Sequence, residues 1–175
     1  MNIEGILVPI VTPFTADNQV DTALLAELVD AFIAKGVRGI VACGTTGEYY
    51  ALSEAERETV LNTIVKAAAG RCTLIAGVSD MSSEVAAQRA IRAKELGYHG
   101  LMLSAPPYSL PSQQGIIEHF EYVASKTDLP IILYNFPARI GVELEFDTVA
   151  HLAKHPNIVG IKESTGNFSN ALRMI

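Results

Sequence analysis

The chain has 175 residues, 49% of them hydrophobic and 18% charged, which supplies a sizeable core for one domain and argues against disorder. Its net charge of −6 disfavours nucleic acid and anionic membrane as general partners, while an anionic small substrate answers to local charge only. No run approaches the ~18 uninterrupted apolar residues of a membrane span, and the opening "MNIEGILVPIVTPF" lacks the basic flank of a secretory signal, so a soluble cytoplasmic protein is expected.

Strands are predicted at "GILVPI" (5–10), "RGIVACG" (38–44), "CTLIAG" (72–77), "HGLMLSA" (99–105), "PIILYN" (130–135) and "NIVGIK" (157–162), the last reading from its apolar run, Ile158 to Ile161, as a buried strand of a parallel sheet. Helices are predicted between them, at 22–35, 53–69, 82–96, 112–126 and 145–154, with a sixth opening near 168. "LLAELVDAFI" (24–33) keeps apolar residues at helical spacing. Ser53 and Glu56 form a capping box at the second helix start. Gly36 and Gly97 fall where helices should end, and Pro130 and Pro156 fall just before strands. Cys43 and Cys72 sit in or beside apolar runs and are expected as two buried thiols, too few for a disulfide framework.

Strand–helix repetition implies an α/β fold with a parallel sheet and right-handed crossovers. An open nucleotide-binding sheet would carry a Gly-rich first turn, and "VTPFTADNQVD" after the first strand has no glycine. The repeat of roughly 26 to 35 residues suits a (β/α)8 TIM barrel, of which about the first six units are present where eight units and ~250 residues are usual. Residues 1–175 are therefore expected to be an incomplete barrel domain, a piece of a longer protein that stops at "NALRMI" inside a helix, without the last two units and a C-terminal helical region.

Sites in such folds gather at the carboxyl ends of strands. Those ends carry "CGTTGEYY" (43–50), "SAPPYSLP" (104–111), "YNFPARIG" (134–141) and Lys162, and all are expected on one rim. Each residue also has a plain structural reading. Thr45 and Glu48 have capping-box spacing. Tyr108 suits a loop plug or a subunit contact, Tyr134 a core ring with a wet hydroxyl, Arg139 a solvated charge, and Lys162 a snorkelling side chain. His99, His119, His151 and His155 follow no metal-ligand spacing, so no metal is expected. Taken together, the residues suggest chemistry. Desolvation at an apolar rim disfavours an ammonium. A neutral amine attacks a carbonyl to form a Schiff base. A tyrosine with hydroxyl neighbours can relay the protons, and Thr46, nearby backbone N–H groups or the fork of Arg139 can hold a carboxylate. The set describes a class I aldolase or dehydratase acting on a 2-oxo acid.

These residues resemble the dihydrodipicolinate synthase / N-acetylneuraminate lyase family of pyruvate-dependent (β/α)8 lyases. The likeness runs from "VPIVTPF" to "GIKESTGN" and rests on "GTTGE", "YNFP" and "GIKE" in that order. It covers essentially the whole chain but only about the first three-fifths of a family member. The resemblance implies that Lys162 forms the Schiff base, with no other cofactor. It implies that Tyr134 shuttles protons at the imine, with Thr45 as the relay hydroxyl beside it. By the same likeness Tyr108 reaches across a dimer interface in a dimer of dimers, Thr46 and Gly47 contact the pyruvate carboxylate, and Arg139 meets the carboxylate of a second, aldehyde substrate.

Within the family, "GTTGE" and Arg139 lean toward the synthase that condenses pyruvate with aspartate semialdehyde in lysine and diaminopimelate biosynthesis. Pro107 stands where the synthases usually have a tyrosine, and "GVSDM" (77–81) replaces a usual "GTGAN". Those departures keep open a 2-keto-3-deoxy sugar acid aldolase or dehydratase, or an N-acetylneuraminate lyase-like enzyme. "GEYYALSEAER" (47–57) lacks the small residue and histidines of lysine-inhibited members, so no inhibition by lysine is expected. A catalytically silent barrel is the reading of another class. With six strands the first and sixth would be exposed edges, and the chain alone is expected to be unstable or to aggregate, and to be inactive.

Overall fold

The computed structural model describes residues 3–174. Six strands alternate with helices as the sequence pattern predicts. β1 is Leu7–Pro9, β2 Gly39–Ala42, β3 Thr73–Gly77, β4 Gly100–Ser104, β5 Ile131–Asn135 and β6 Ile158–Glu163. The helices are α1 (Thr22–Ala34), α2 (Glu54–Ala68), α3 (Ser83–Glu95), α4 (Gln113–Ser125), α5 (Pro137–Ile140), α6 (Phe146–Leu152) and α7 (Phe168–Arg173). The last residue of the "NALRMI" segment, Ile175, lies outside the described residues. The pattern does not predict α5 or the two 3-10 turns at Thr45–Gly47 and Tyr49–Ala51, which are too short to show a period.

Two compact units are present, one running to Gly77 with Arg92–Gly100, the other Val78–Ile91 with Leu101 onward. In the first, β1 pairs with β2 and β2 with β3, all parallel. Ile40, Val41 and Ala42 of β2 and Ile75 and Ala76 of β3 are buried, with Leu25, Val29, Leu61 and Ile64 of α1 and α2. The capping box forms as expected: Glu56 N–H donates to Ser53 Oγ, and Ser53 N–H donates to Glu56 Oε2 at 2.8 Å. Gly36 follows α1 at φ 82° and Gly97 follows α3 at φ 89°, the left-handed conformation expected at these helix ends.

In the second unit β5 pairs in parallel with β4 and with β6. Its core is Leu101, Leu103, Ile131 and Leu133 from the strands with Ile116, Phe120 and Val123 of α4 and Leu152 of α6. His119 of α4 is buried too, its Nδ1 2.8 Å from Ser83 Oγ at the start of α3.

Two expectations need correction. β6 reads as a buried strand, yet only Ile158 is buried and Val159 is 52% exposed. No residue of β1 is buried either. β1 is half-buried throughout and β6 is exposed at Val159 and Gly160, as befits a first and a sixth strand that, among the described residues, pair on one side alone. Cys43 is buried as expected, but Cys72 is only half-buried, at the turn that precedes β3 rather than within it. Burial still dominates there and raises its thiol above the usual range.

Candidate active site

The second unit brings two of the candidates into contact. Tyr134 of β5 lies opposite Lys162 of β6 in the parallel ladder. The Lys162 Nζ stands 4.2 Å from the centroid of the Tyr134 ring. Tyr134 is 6% exposed, with Phe136 tilted against it at 5.9 Å between ring centroids. Lys162 is half-buried. A cation over the face of a tyrosine is attracted by the ring quadrupole, so the lysine head is drawn to an aromatic wall rather than into open water.

This adjacency depends on an irregularity in β6. Ile131 pairs with Ile158, but Ile132 pairs with Gly160, so Val159 is an extra residue. An uninterrupted ladder from Ile131 and Ile158 would place Lys162 opposite Asn135 and on the other face of the sheet, since faces alternate with every residue. The bulge moves Lys162 onto the face of Tyr134. Bulges commonly re-aim side chains beside active sites.

The next register pair, Asn135 and Glu163, lies on the opposite face. Asn135 is 1% exposed. Its Nδ2 donates to Glu163 Oε2 at 2.8 Å, and its Oδ1 accepts from Leu144 N–H at 3.0 Å. Glu163 Oε1 accepts from Thr165 N–H at 2.6 Å, and Ser164 N–H donates to the Asn135 carbonyl at 2.9 Å. These bonds join the ends of β5 and β6 to the segment before α6. Both residues lie inside the strand-end motifs "YNFP" and "GIKE", where the sequence alone assigns neither a role. An isolated glycine within an apolar strand is a bulge signal, and Gly160 was the feature from which the irregularity was legible.

Two other candidates belong to this unit and are exposed. Arg139 lies on α5, the single helical turn directly after β5. Tyr108 is 89% exposed at φ 72°, followed closely by Leu110 at φ 47°. Left-handed backbone is uncommon in residues of this size. Leu110 packs where a Cβ on Gly141 would sit, 2.6 Å from its Cδ2, so the loop rests against the end of α5.

The first unit holds Thr45, Thr46 and Gly47 on one 3-10 turn after β2. Thr45 is half-buried, Thr46 exposed and Gly47 buried. The capping-box reading of Thr45 and Glu48 does not hold. The turn is closed by backbone bonds, from Gly47 N–H to the Gly44 carbonyl at 3.0 Å and from Glu48 N–H to the Thr45 carbonyl at 3.1 Å. Glu48 adopts φ 54°, outside any helix. Cys43, just before the turn, adopts φ 50°. Gly47 is tightly packed, since a Cβ there would stand 3.0 Å from the Ile10 carbonyl oxygen and press on backbone. Thr12 Oγ1 donates to the Gly47 carbonyl at 2.8 Å and ties the turn to the loop after β1.

Among the described residues no group of three His, Cys, Asp or Glu side chains is placed to hold a metal ion. Each histidine has a structural partner: His99 Nδ1 accepts from Leu74 N–H, His119 meets Ser83, His151 meets Glu121, and His155 Nδ1 accepts from Asn157 N–H. No helix among the described residues is long and apolar enough to cross a membrane.

Residues 2–175 match the model of the dihydrodipicolinate synthetase family. The chain belongs to that family. It is 39% identical over its whole length to the 4-hydroxy-tetrahydrodipicolinate synthase 1 of Halalkalibacterium halodurans, of which it covers 59%. It superposes with a TM-score of 0.97 and 41% identity on a chloride-inhibited dihydrodipicolinate synthase of Acinetobacter baumannii complexed with pyruvate, covering 99% of this chain and 60% of that one. The 4-hydroxy-tetrahydrodipicolinate synthase of Methylacidiphilum fumariolicum SolV gives a TM-score of 0.96 at 36% identity, over 99% of this chain and 58% of that one. The chain thus spans about three-fifths of the length of these dihydrodipicolinate synthetase family members. Its six strand–helix units have the α/β fold of a partial (β/α)8 barrel.

Proposed function

We propose that the protein is a Schiff-base-forming carbon–carbon lyase that joins pyruvate to an aldehyde, and that it acts as a 4-hydroxy-tetrahydrodipicolinate synthase with aspartate semialdehyde as the second substrate. The observation that carries the reading is the Lys162 amine 4.2 Å from the Tyr134 ring centroid, at the carboxyl ends of neighbouring parallel strands. The arrangement sets a candidate nucleophile against the ring of a residue whose hydroxyl can carry protons.

In this scheme the Lys162 Nζ adds to the C2 carbonyl of pyruvate. The resulting hydroxyl leaves as water and an imine forms. A proton lost from C3 gives an enamine, whose carbon attacks the aldehyde; the aldehyde oxygen becomes an alkoxide that takes up a proton, and the imine that re-forms at C2 is cleaved by water to free the Lys162 amine. Tyr134 carries protons at the imine, with Thr45 and Tyr108 as relay hydroxyls. Thr46 and Gly47 hold the pyruvate carboxylate, and Arg139 meets the carboxylate of the second substrate. The exposure of Arg139 and Tyr108 suits contacts with an incoming ligand and with a second subunit of a homo-oligomer. The names of the relatives support the synthase over other pyruvate lyases.

The test is borohydride reduction of the protein, at the length its reading frame encodes, in the presence of pyruvate. Peptide mass analysis should find a reduced pyruvyl adduct on the peptide holding Lys162, and none in Lys162→Arg. A native, folded protein without the adduct would sink the lyase reading. Aspartate semialdehyde and 2-keto-3-deoxygluconate, assayed side by side, separate the synthase from a sugar acid aldolase.

A further inference from the structure

Lys162 and Tyr134 meet only because β6 is bulged, and a bulge leaves a residue unpaired, so something must select this register over the regular one. The Asn135–Glu163 pair is built to do so. In the regular register Asn135 would face Lys162 and the carboxylate of Glu163 would fall one place beyond the end of β5. In the observed register the Asn135 amide has one orientation that serves both neighbours. Its oxygen takes the Leu144 N–H and its nitrogen meets the Glu163 carboxylate. The second carboxylate oxygen takes the Thr165 N–H, which fixes the chain as it leaves β6. The pair is next in register to Tyr134 and Lys162 and lies on the face of the sheet away from them.

We propose that Asn135 and Glu163 are positioning residues that lock the bulged register and thereby hold the Lys162 amine against Tyr134. The proposal deepens the lyase reading and rests on it for its catalytic consequence. The geometric claim is separable from that reading.

The experiment exchanges the polarity of the bond. Asn135→Asp leaves two carboxylates face to face and removes the donor. Glu163→Gln leaves one oxygen to serve both Asn135 and Thr165. The double variant Asn135→Asp, Glu163→Gln restores the bond with donor and acceptor reversed. Its introduced carboxylate can still take the Leu144 N–H, and its introduced amide oxygen the Thr165 N–H. The first readout is independent of activity. Lysines are reductively methylated with a carbon-13 label, and the Lys162 signal is assigned by its loss in Lys162→Arg. Ring current from Tyr134 should displace that signal in the native protein. Either single substitution should return it toward the position of a free lysine, and the double variant should displace it again. The second readout is the rate of borohydride-trapped adduct at Lys162, expected to fall between about 10- and 100-fold in the single variants and to recover in the double one.

An unmoved signal in folded Asn135→Asp or Glu163→Gln overturns the proposal, as does a folded double variant without recovery. If Asn135→Asp fails to fold, Glu163→Gln against the double variant decides. If the native protein traps no pyruvate, the lyase reading fails, and the methyl signal still decides whether the pair sets the register.

Discussion

The turn after β2 and the paired ends of β5 and β6 both present candidate chemistry, and they hold it by different means. The turn relies on backbone. Cys43 and Glu48 take left-handed conformations, Gly47 is packed tightly against the Ile10 carbonyl, and the closing bonds run between main-chain groups. The strand ends rely on side chains. A bulge sets the face, and a buried amide and a carboxylate pin it. The first region should therefore be sensitive to added atoms, and the second to changes of register and polarity.

Inserting one alanine between Gly160 and Ile161 is the sharpest way to break the second region. With the bulge kept, the insertion moves Lys162 from opposite Tyr134 to opposite Asn135 and so to the other face. Trapping of pyruvate at Lys162 should fall on the order of 100-fold or more, since misplacement by about 1 Å already costs that much. Far-ultraviolet circular dichroism would check that the strand–helix content persists. Undiminished trapping in a folded insertion variant would show that the register of β6 does not aim the lysine.

The same region carries a pH dependence that the backbone-built turn should lack. Burial depresses the His119 pKa from 6.5 to about 4, opposed in part by the Ser104 backbone and the Asp80 carboxylate. The folded state disfavours the proton, so the unfolded state binds more of it between those values. The stability is present in full above pH 6.5 and is lost as pH falls toward 4, by roughly 3 kcal/mol. Urea titrations across that range should show the slope in the native protein and a smaller one in His119→Gln. Equal slopes would mean that other groups carry the acid sensitivity.

The first region is broken by a single methyl. A Cβ on Gly77 would stand 2.8 Å from the Cys43 carbonyl carbon and closer still to its oxygen, at the point where β3 passes the end of β2. Backbone cannot yield there without moving the turn. Gly77→Ala should destabilise by about 1–3 kcal/mol, the usual cost of overpacking, read as a lower urea midpoint at unchanged slope.

These contrasts also mark what the sequence made legible. Strands and helices were readable because apolar runs, the Ser53 capping box and the glycines at 36 and 97 act locally. Lys162 and Tyr134 were readable as strand-end residues. Their contact was not, because it depends on one unpaired residue in β6, and counting from predicted strand ends assumes an unbroken ladder. Asn135 and Glu163 are distant in sequence and look like ordinary polar ends of strands until the register joins them. The turn at Thr45 has capping-box spacing, but spacing alone does not reveal that Glu48 leaves helical geometry. The incomplete burial of β1 and β6 accords with their places as first and sixth strands, whereas apolar content alone suggests that β6 is buried.

The smallest expected effect tests whether the backbone-built turn takes any help from a side chain. Thr12 Oγ1 donates to the Gly47 carbonyl at 2.8 Å, and the group is only partly buried. Thr12→Val keeps the shape and removes the donor. The carbonyl then loses one neutral hydrogen bond, worth about 1 kcal/mol, and water can replace part of it because the site is not sealed. Global stability should fall by no more than that. Amide exchange at Gly47 and Glu48, whose N–H groups close the turn, should quicken more than exchange in β2. Equal quickening in both would show that Thr12 supports the whole unit rather than the turn, and the contrast between a backbone-held and a side-chain-held region would narrow accordingly.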